Sequence, residues 1–106
     1  MNFLLAVLLG VLVVTHPAHA GEQTKAVSEN TVAEQGHRLF DRNCAHCHGD
    51  DARGDEGPSL YNLALSDARI AKRIREGIKG EMPAFGKKFN DNDIETLIAY
   101  LRTLKE

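Results

Sequence analysis

The chain has 106 residues, with 13 basic and 15 acidic side chains and a formal net charge of −2, so it holds one domain at most and lacks the basic excess of a nucleic-acid binder. Its two cysteines, Cys44 and Cys47, allow a single disulfide, and that bond would close too small a loop to constrain the unfolded chain much. A domain this short buries a modest core, so some other staple is expected.

Phe3 to Val14, FLLAVLLGVLVV, is an almost unbroken apolar run, shorter than the roughly 20 residues a membrane span takes. Ala18-His19-Ala20 then places small residues on either side of an arbitrary one, the pattern that signal peptidase accepts. Residues 1–20 read as a secretory signal with Gly21 as the mature N-terminus. The competing reading is an uncleaved anchor, since no Lys or Arg precedes the apolar run. All charged side chains lie after residue 20.

Residues 21–29 are polar and patternless and read as a flexible leader, with the folded domain over residues 30–106. Asn30 or Ser28 is suited to cap a helix. Val32, Leu39 and Phe40 share one helical stripe, with Gly36 among them, and the helix is expected to reach about Asn43. Glycine inside a helix costs about 1 kcal/mol against alanine, an expense that close approach of another backbone would justify. After the cysteine cluster, residues 49–58 (GDDARGDEGP) form a loop. Its acids lack the spacing of a calcium loop, and a solvated acidic loop is the reading. Leu60, Tyr61, Leu63 and Leu65 fit a short helix or an extended stretch. Ser66 caps the next helix, with Asp67 in its first turn, where the helix dipole favours an anion. Its apolar stripe is Ile70, Ala71, Ile74 and Ile78, and Gly77 is its natural stop. Residues 80–86 (GEMPAFG) form a loop around Met82-Pro83. Asn90 caps the last helix, with Asp91 and Asp93 in its first turn. Ile94, Leu97, Ile98, Leu101 and Leu104 form its stripe, and Lys105 is expected in its last turn, where a cation suits the carbonyl end. No stretch alternates as a strand does, so the fold class is all-α.

Residues 44–48, CAHCH, carry the chemistry. A disulfide, a redox thiol pair, half a zinc site and a covalent haem attachment compete for them. The redox pair wants strands around it. Zinc wants four ligands in tetrahedral reach, and the available histidines, His46, His48 and His37, close that figure poorly. Haem uses every position: two thiols add across the porphyrin vinyl groups, and the next residue, His48, lies under the iron. Met82, the only methionine after Met1, sits in a Gly/Pro loop rather than on a helix stripe. A methionine is more often core filler, but such a loop presents one thioether at a fixed point, and His/Met is a known axial pair of haem iron.

On EQGHRLFDRNCAHCHG, EGPSL, EMPAFGKKF and IETLIAYLRTL, the chain resembles the small class I c-type cytochromes, bacterial periplasmic carriers with one haem. The resemblance covers nearly all of residues 30–106. It implies a cytochrome c fold of three to five helices around one covalently attached haem c. It implies thioethers at Cys44 and Cys47, His48 as proximal ligand and Met82 as distal ligand. It also implies that the Pro58 carbonyl accepts a hydrogen bond from the other nitrogen of His48. Gly36 and Phe40, with Leu97 and Tyr100, would form the contact where the N- and C-terminal helices cross. The span from Pro58 to Met82 is short for the mitochondrial type, and the chain has no tryptophan.

The function implied is one-electron transfer in the periplasm, by a protein that is not itself an enzyme and keeps no stable membrane anchor after cleavage. The alternatives are an electron-transfer subunit of a larger dehydrogenase or oxidase, and a haem with an open sixth site that binds a gas or acts like a peroxidase. Redox partners, one a donor and one an acceptor, are expected. Arg69, Lys72, Arg73, Arg75 and Lys79, with Lys87 and Lys88 beyond the Met82 loop, read most simply as a solvated helix face. Their functional reading is a basic collar that steers an acidic partner.

Overall fold

The computed structural model describes the backbone of residues 10–15 and 20–106, with side chains described from residue 28 onward in the second stretch. Most of the expected export signal, residues 1–9 and 16–19, lies outside the described residues. Among the described residues there are four helices: α1 (Ala20–Asn43), α2 (Ala45–His48), α3 (Asp67–Glu76) and α4 (Asp91–Leu101). No strand occurs among the described residues, only an isolated bridge between Ile78 and Met82.

The frame is the crossing of α1 and α4. Gly36 makes it possible: a Cβ there would lie 2.2 Å from the Thr96 carbonyl oxygen and 2.7 Å from the Tyr100 Cβ. Phe40 of α1 is 0% exposed, and Ile94 and Leu97 of α4 are each 1% exposed. Ile98, Leu101 and Leu104 extend this core, and Ile70 and Ile74 of α3 complete it. Tyr100 lies across the join, its ring 5.3 Å from that of Phe40 and stacked on His37 at 4.8 Å.

The local signals at α3 and α4 act as expected. The Ser66 side chain accepts from the backbone N–H of Arg69, and the Gly77 N–H donates to Arg73 O at the other end of α3. Asn90 and Asp93 form a reciprocal capping box: each side chain accepts from the other's backbone N–H, at 2.9 and 3.0 Å. These bonds satisfy N–H groups that a helix start otherwise leaves open.

Several expectations are corrected. Helix α1 begins at Ala20, not at Asn30 or Ser28, so residues 21–29 are helical rather than a patternless leader. After Gly21 the segment holds no helix breaker, and Glu, Gln, Lys and Ala extend an existing helix at little cost. Ile78 stands beyond α3 and is 37% exposed, because Gly77 ends the helix with φ +63°. Lys105 is not in the last turn of α4. The helix ends at Leu101, and Thr103 N and Leu104 N then donate to Tyr100 O and Leu101 O in tighter turns. Leu104 stays in the core from outside the helix. The Leu60–Leu65 stretch is neither a helix nor a strand but turn and irregular chain, with Asn62 at φ +53°.

Candidate haem-attachment site

The CAHCH segment forms one turn. Cys44 separates α1 from α2, and its carbonyl oxygen accepts from Cys47 N at 3.2 Å and His48 N at 3.0 Å. Both thiols are half-buried and neither is in a disulfide. Burial, with Cys47 adding and Lys88 opposing, pushes the Cys44 thiol up to about 11. That is the reverse of the lowered value of a reactive thiol in a redox Cys-x-x-Cys. No group of three or more His, Cys, Asp or Glu side chains among the described residues is arranged to hold a metal ion. The zinc reading therefore lacks a ligand set.

His48 is held from the loop. Its Nδ1 lies 2.8 Å from the Pro58 carbonyl oxygen. A carbonyl only accepts, so Nδ1 carries the proton and Nε2 presents its lone pair. The loop closes on this ring by backbone bonds: Gly54 N donates to His48 O at 2.8 Å and Gly57 N to Cys47 O at 2.6 Å. Gly57 is needed for closeness, since a Cβ there would lie 3.0 Å from two atoms of the imidazole. Gly54, at φ +101°, would press a Cβ to 2.9 Å of Ser59 N.

Met82 is carried by a separate element, the loop after α3. Ile78 N donates to Met82 O and Met82 N to Ile78 O, each at 2.8 Å. Gly77 lets the chain fold over itself: a Cβ there would meet Met82 O at 2.3 Å. Farther on, Phe85 N donates to Ile74 O at 2.9 Å and Gly86 N to Arg75 O at 3.1 Å, which seats the loop on the end of α3. Among the described residues, no hydrogen bond joins Met82 to the Cys44–His48 turn.

The donors present fit a covalently attached haem: two unbonded thiols one turn apart, an imidazole fixed with Nε2 free, and a thioether on a tight loop. His37 is spent elsewhere, 3.3 Å from Asp41 and stacked on Tyr100, and His46 is exposed. Of the basic residues, Arg75 pairs with Asp91 at 2.7 Å. Arg69, Lys72, Arg73 and Lys79 are exposed and make no ion pair among the described residues.

Sequence reasoning placed Gly77 as the stop of α3 but missed its contact with the Met82 loop, and it missed Gly57; both contacts show only once the loops have folded back. It also missed Arg102, which donates to Leu63 O, Leu65 O and Asp67 Oδ1 and so ties the start of α3 to the end of α4. The run of polar contacts from one side chain to a distant segment leaves no local sequence mark.

Residues 31–101 match the family described as cytochrome c oxidase, cbb3-type, subunit III. The chain is 41% identical over 95 residues to the cytochrome c subunit of the menaquinol:cytochrome c reductase of Bacillus subtilis (strain 168), an alignment covering 84% of this chain and 36% of that one. A cytochrome c-553-like protein of Synechocystis sp. is 36% identical over 74 residues, with 68% of this chain and 69% of that one covered. Cytochrome cL of Hyphomicrobium denitrificans superposes with a TM-score of 0.68 at 21% identity, over 84% of this chain and 60% of that one, and so shares the fold. The chain spans about a third of the length of the first curated relatives it matches.

Proposed function

Because the chain belongs to the cytochrome c family, in its cbb3-type subunit III branch, whose members carry covalently attached haem c, we propose that it is a one-electron carrier with His48 and Met82 as axial ligands and thioethers at Cys44 and Cys47. The observation that carries this reading is the His48 ring held through Nδ1 by Pro58 O at 2.8 Å, which turns the imidazole into a fixed, basic donor at Nε2. The bound haem supplies a one-electron couple at its iron. The chain supplies the rest. Cys44 and Cys47 fix the group in place, and His48 sets its orientation and adds electron density. Met82 would supply a soft thioether that raises the potential, and the buried α1–α4 core would help to keep water from the group. With His48 and Met82 both engaged by the group no position would be left for a substrate, so the protein would transfer electrons rather than act as an enzyme.

The test is an absorption spectrum, oxidised and reduced, of protein made alongside haem-attachment machinery, repeated for Met82→Ala. A weak long-wavelength ferric band that disappears in the variant is expected. A wild-type spectrum without that band, shifting on addition of carbon monoxide or cyanide, would overturn the reading in favour of an open gas-binding or peroxidase-like site.

A second reading, that the domain serves as the electron-transfer part of a larger oxidase or reductase, is favoured by the family's description and by the Bacillus relative, a reductase subunit. Both readings need redox partners. Arg69, Lys72, Arg73 and Lys79 form a basic surface for an acidic one; Arg75 contributes less to it, being paired with Asp91. No helix among the described residues is long and apolar enough to cross a membrane. Export to the periplasm is supported by the apolar run and by Ala18-His19-Ala20.

A further inference from the structure

The loop that carries Pro58 is fastened on its outer side by residues that no haem motif contains. Leu60 N donates to Ala52 O at 2.9 Å, which closes the loop across its neck. The two residues flanking that bond are themselves clasped: the Arg53 guanidinium carbon lies 4.1 Å over the Tyr61 ring. The same guanidinium is paired with the Glu106 carboxylate. Glu106 is in turn seated by Asn62, whose side-chain oxygen accepts from Glu106 N at 3.3 Å, while Asn62 N donates to Leu104 O at 2.9 Å. Leu104 belongs to the hydrophobic core. A continuous line thus runs from that core through Glu106 and Arg53 to the neck of the loop, and from the neck to Pro58 O and His48 Nδ1.

We propose that Arg53, clasped between Tyr61 and Glu106, is a positioning residue that holds the Pro58 carbonyl on His48 and thereby sets the basicity of the imidazole toward iron. The inference rests on the reading of His48 as proximal ligand. Each contact of the latch is individually modest because both charged partners are half-exposed. Its leverage comes from position. The inner bonds of the loop, from Gly54 and Gly57, fix the chain before Pro58, and the Leu60–Ala52 bond at the neck is the first backbone bond after it, with Asn62 and Leu63 held farther on by Leu104 and Arg102. A stronger Nδ1–H···O bond makes the imidazole a better donor and favours the ferric state, so loosening the latch raises the reduction potential.

The experiment uses ¹⁵N-labelled haem-loaded protein and compares wild type with Arg53→Met and Glu106→Gln, singly and together. Three quantities are read: the exchange rate of the His48 Nδ1 proton, the midpoint potential, and the melting temperature. Arg53→Met is expected to speed the exchange about tenfold, the scale of losing one ion pair and one cation–π contact, and to move the potential upward. The double variant should do no more than Arg53→Met alone, since both changes open one latch. A lower melting temperature with exchange rate and potential unchanged would make Arg53 merely structural and overturn the proposal; additive effects of the two changes would overturn it as well. Failure of the functional reading shows up elsewhere: an imidazole that does not bind iron lacks the paramagnetic shift of a ligated ring in wild-type ferric protein, whatever the exchange rates do.

Discussion

The crossing of α1 and α4 and the segment from α3 to the Met82 loop are built in opposite ways. The crossing fills its own space. Phe40, Ile94 and Leu97 are almost wholly buried, and Gly36 brings the backbones so close that even a methyl group does not fit. The segment after Gly77 is held by backbone bonds to Ile74, Arg75 and Ile78; Phe89 reaches the core and Phe85 packs against it, while the apolar side chains nearer Gly77 are less covered. Ile78 is 37% exposed, Leu65 just before α3 is 39% exposed, and Met82 is half-buried. One region is a closed core; the other reaches that core through Ile70, Ile74 and Phe89 and leaves Ile78 exposed and Met82 half-buried, a face that a large planar group would cover on the proposed reading. A small domain can afford little internal core, and here the shortfall is concentrated on one side.

The strongest way to break this contrast is to stop attachment. In a Cys44→Ala/Cys47→Ala variant, circular dichroism should show most of the helical signal lost, and hydrogen exchange should find what protection remains at the α1–α4 crossing. Native helicity without haem would mean that both regions are self-sufficient and would sink the idea. Next in size, Phe40→Ala in the haem-loaded protein should cost about 4 kcal/mol by leaving a cavity at the crossing, measured by urea unfolding. Gly36→Ala should cost about 3 kcal/mol through overpacking against Thr96 and Tyr100. Neither change should alter the ferric long-wavelength band. Met82→Ala should do the opposite, abolishing that band while moving the urea midpoint less than Phe40→Ala does.

The smallest expected effect sharpens the picture of the crossing itself. Burial raises the Tyr100 phenol above its ordinary 10.0, with Asp41 and Tyr61 adding to the shift. The unfolded chain therefore gives up this proton first. Stability is fully present below the unfolded value and falls as pH rises from about 10 through the folded-state value. Tyr100→Phe should leave stability at pH 8 nearly unchanged and flatten the decline on the alkaline side. Urea midpoints at pH 8 and at a pH above 10 check it, and equal slopes in both proteins would remove Tyr100 from the account.

The contrast also explains what could be read before folding. Caps are local chemistry: Ser66 and the Asn90/Asp93 pair act within four residues, so the starts of α3 and α4 were legible. The cysteine turn was legible because a single turn sets its geometry. The start of α1 was not, because nothing in residues 21–29 forbids helix and polarity alone does not stop one. Lys105 was misplaced because the chain tightens after Leu101 to send Leu104 into the core, a tertiary demand that no helical period records. Gly77 was legible as the stop of α3, but its second role was not, and Gly57 is marked in the sequence only as a loop glycine. Their partners, the His48 ring and Met82 O, come near only when each loop has closed, and the same is true of Arg53 and Arg102.

The small closed ring of backbone between Ile78 and Met82 has a kinetic consequence. Its two 2.8 Å bonds fix the stem of the methionine before any ligand is met, so little freedom is left to lose when the sulfur engages. A stem that is already fixed also has little room to move when the charge beside it changes by one unit. On the proposed ligation, the nuclear rearrangement that accompanies each electron would be small, and the protein would exchange electrons quickly for a given driving force.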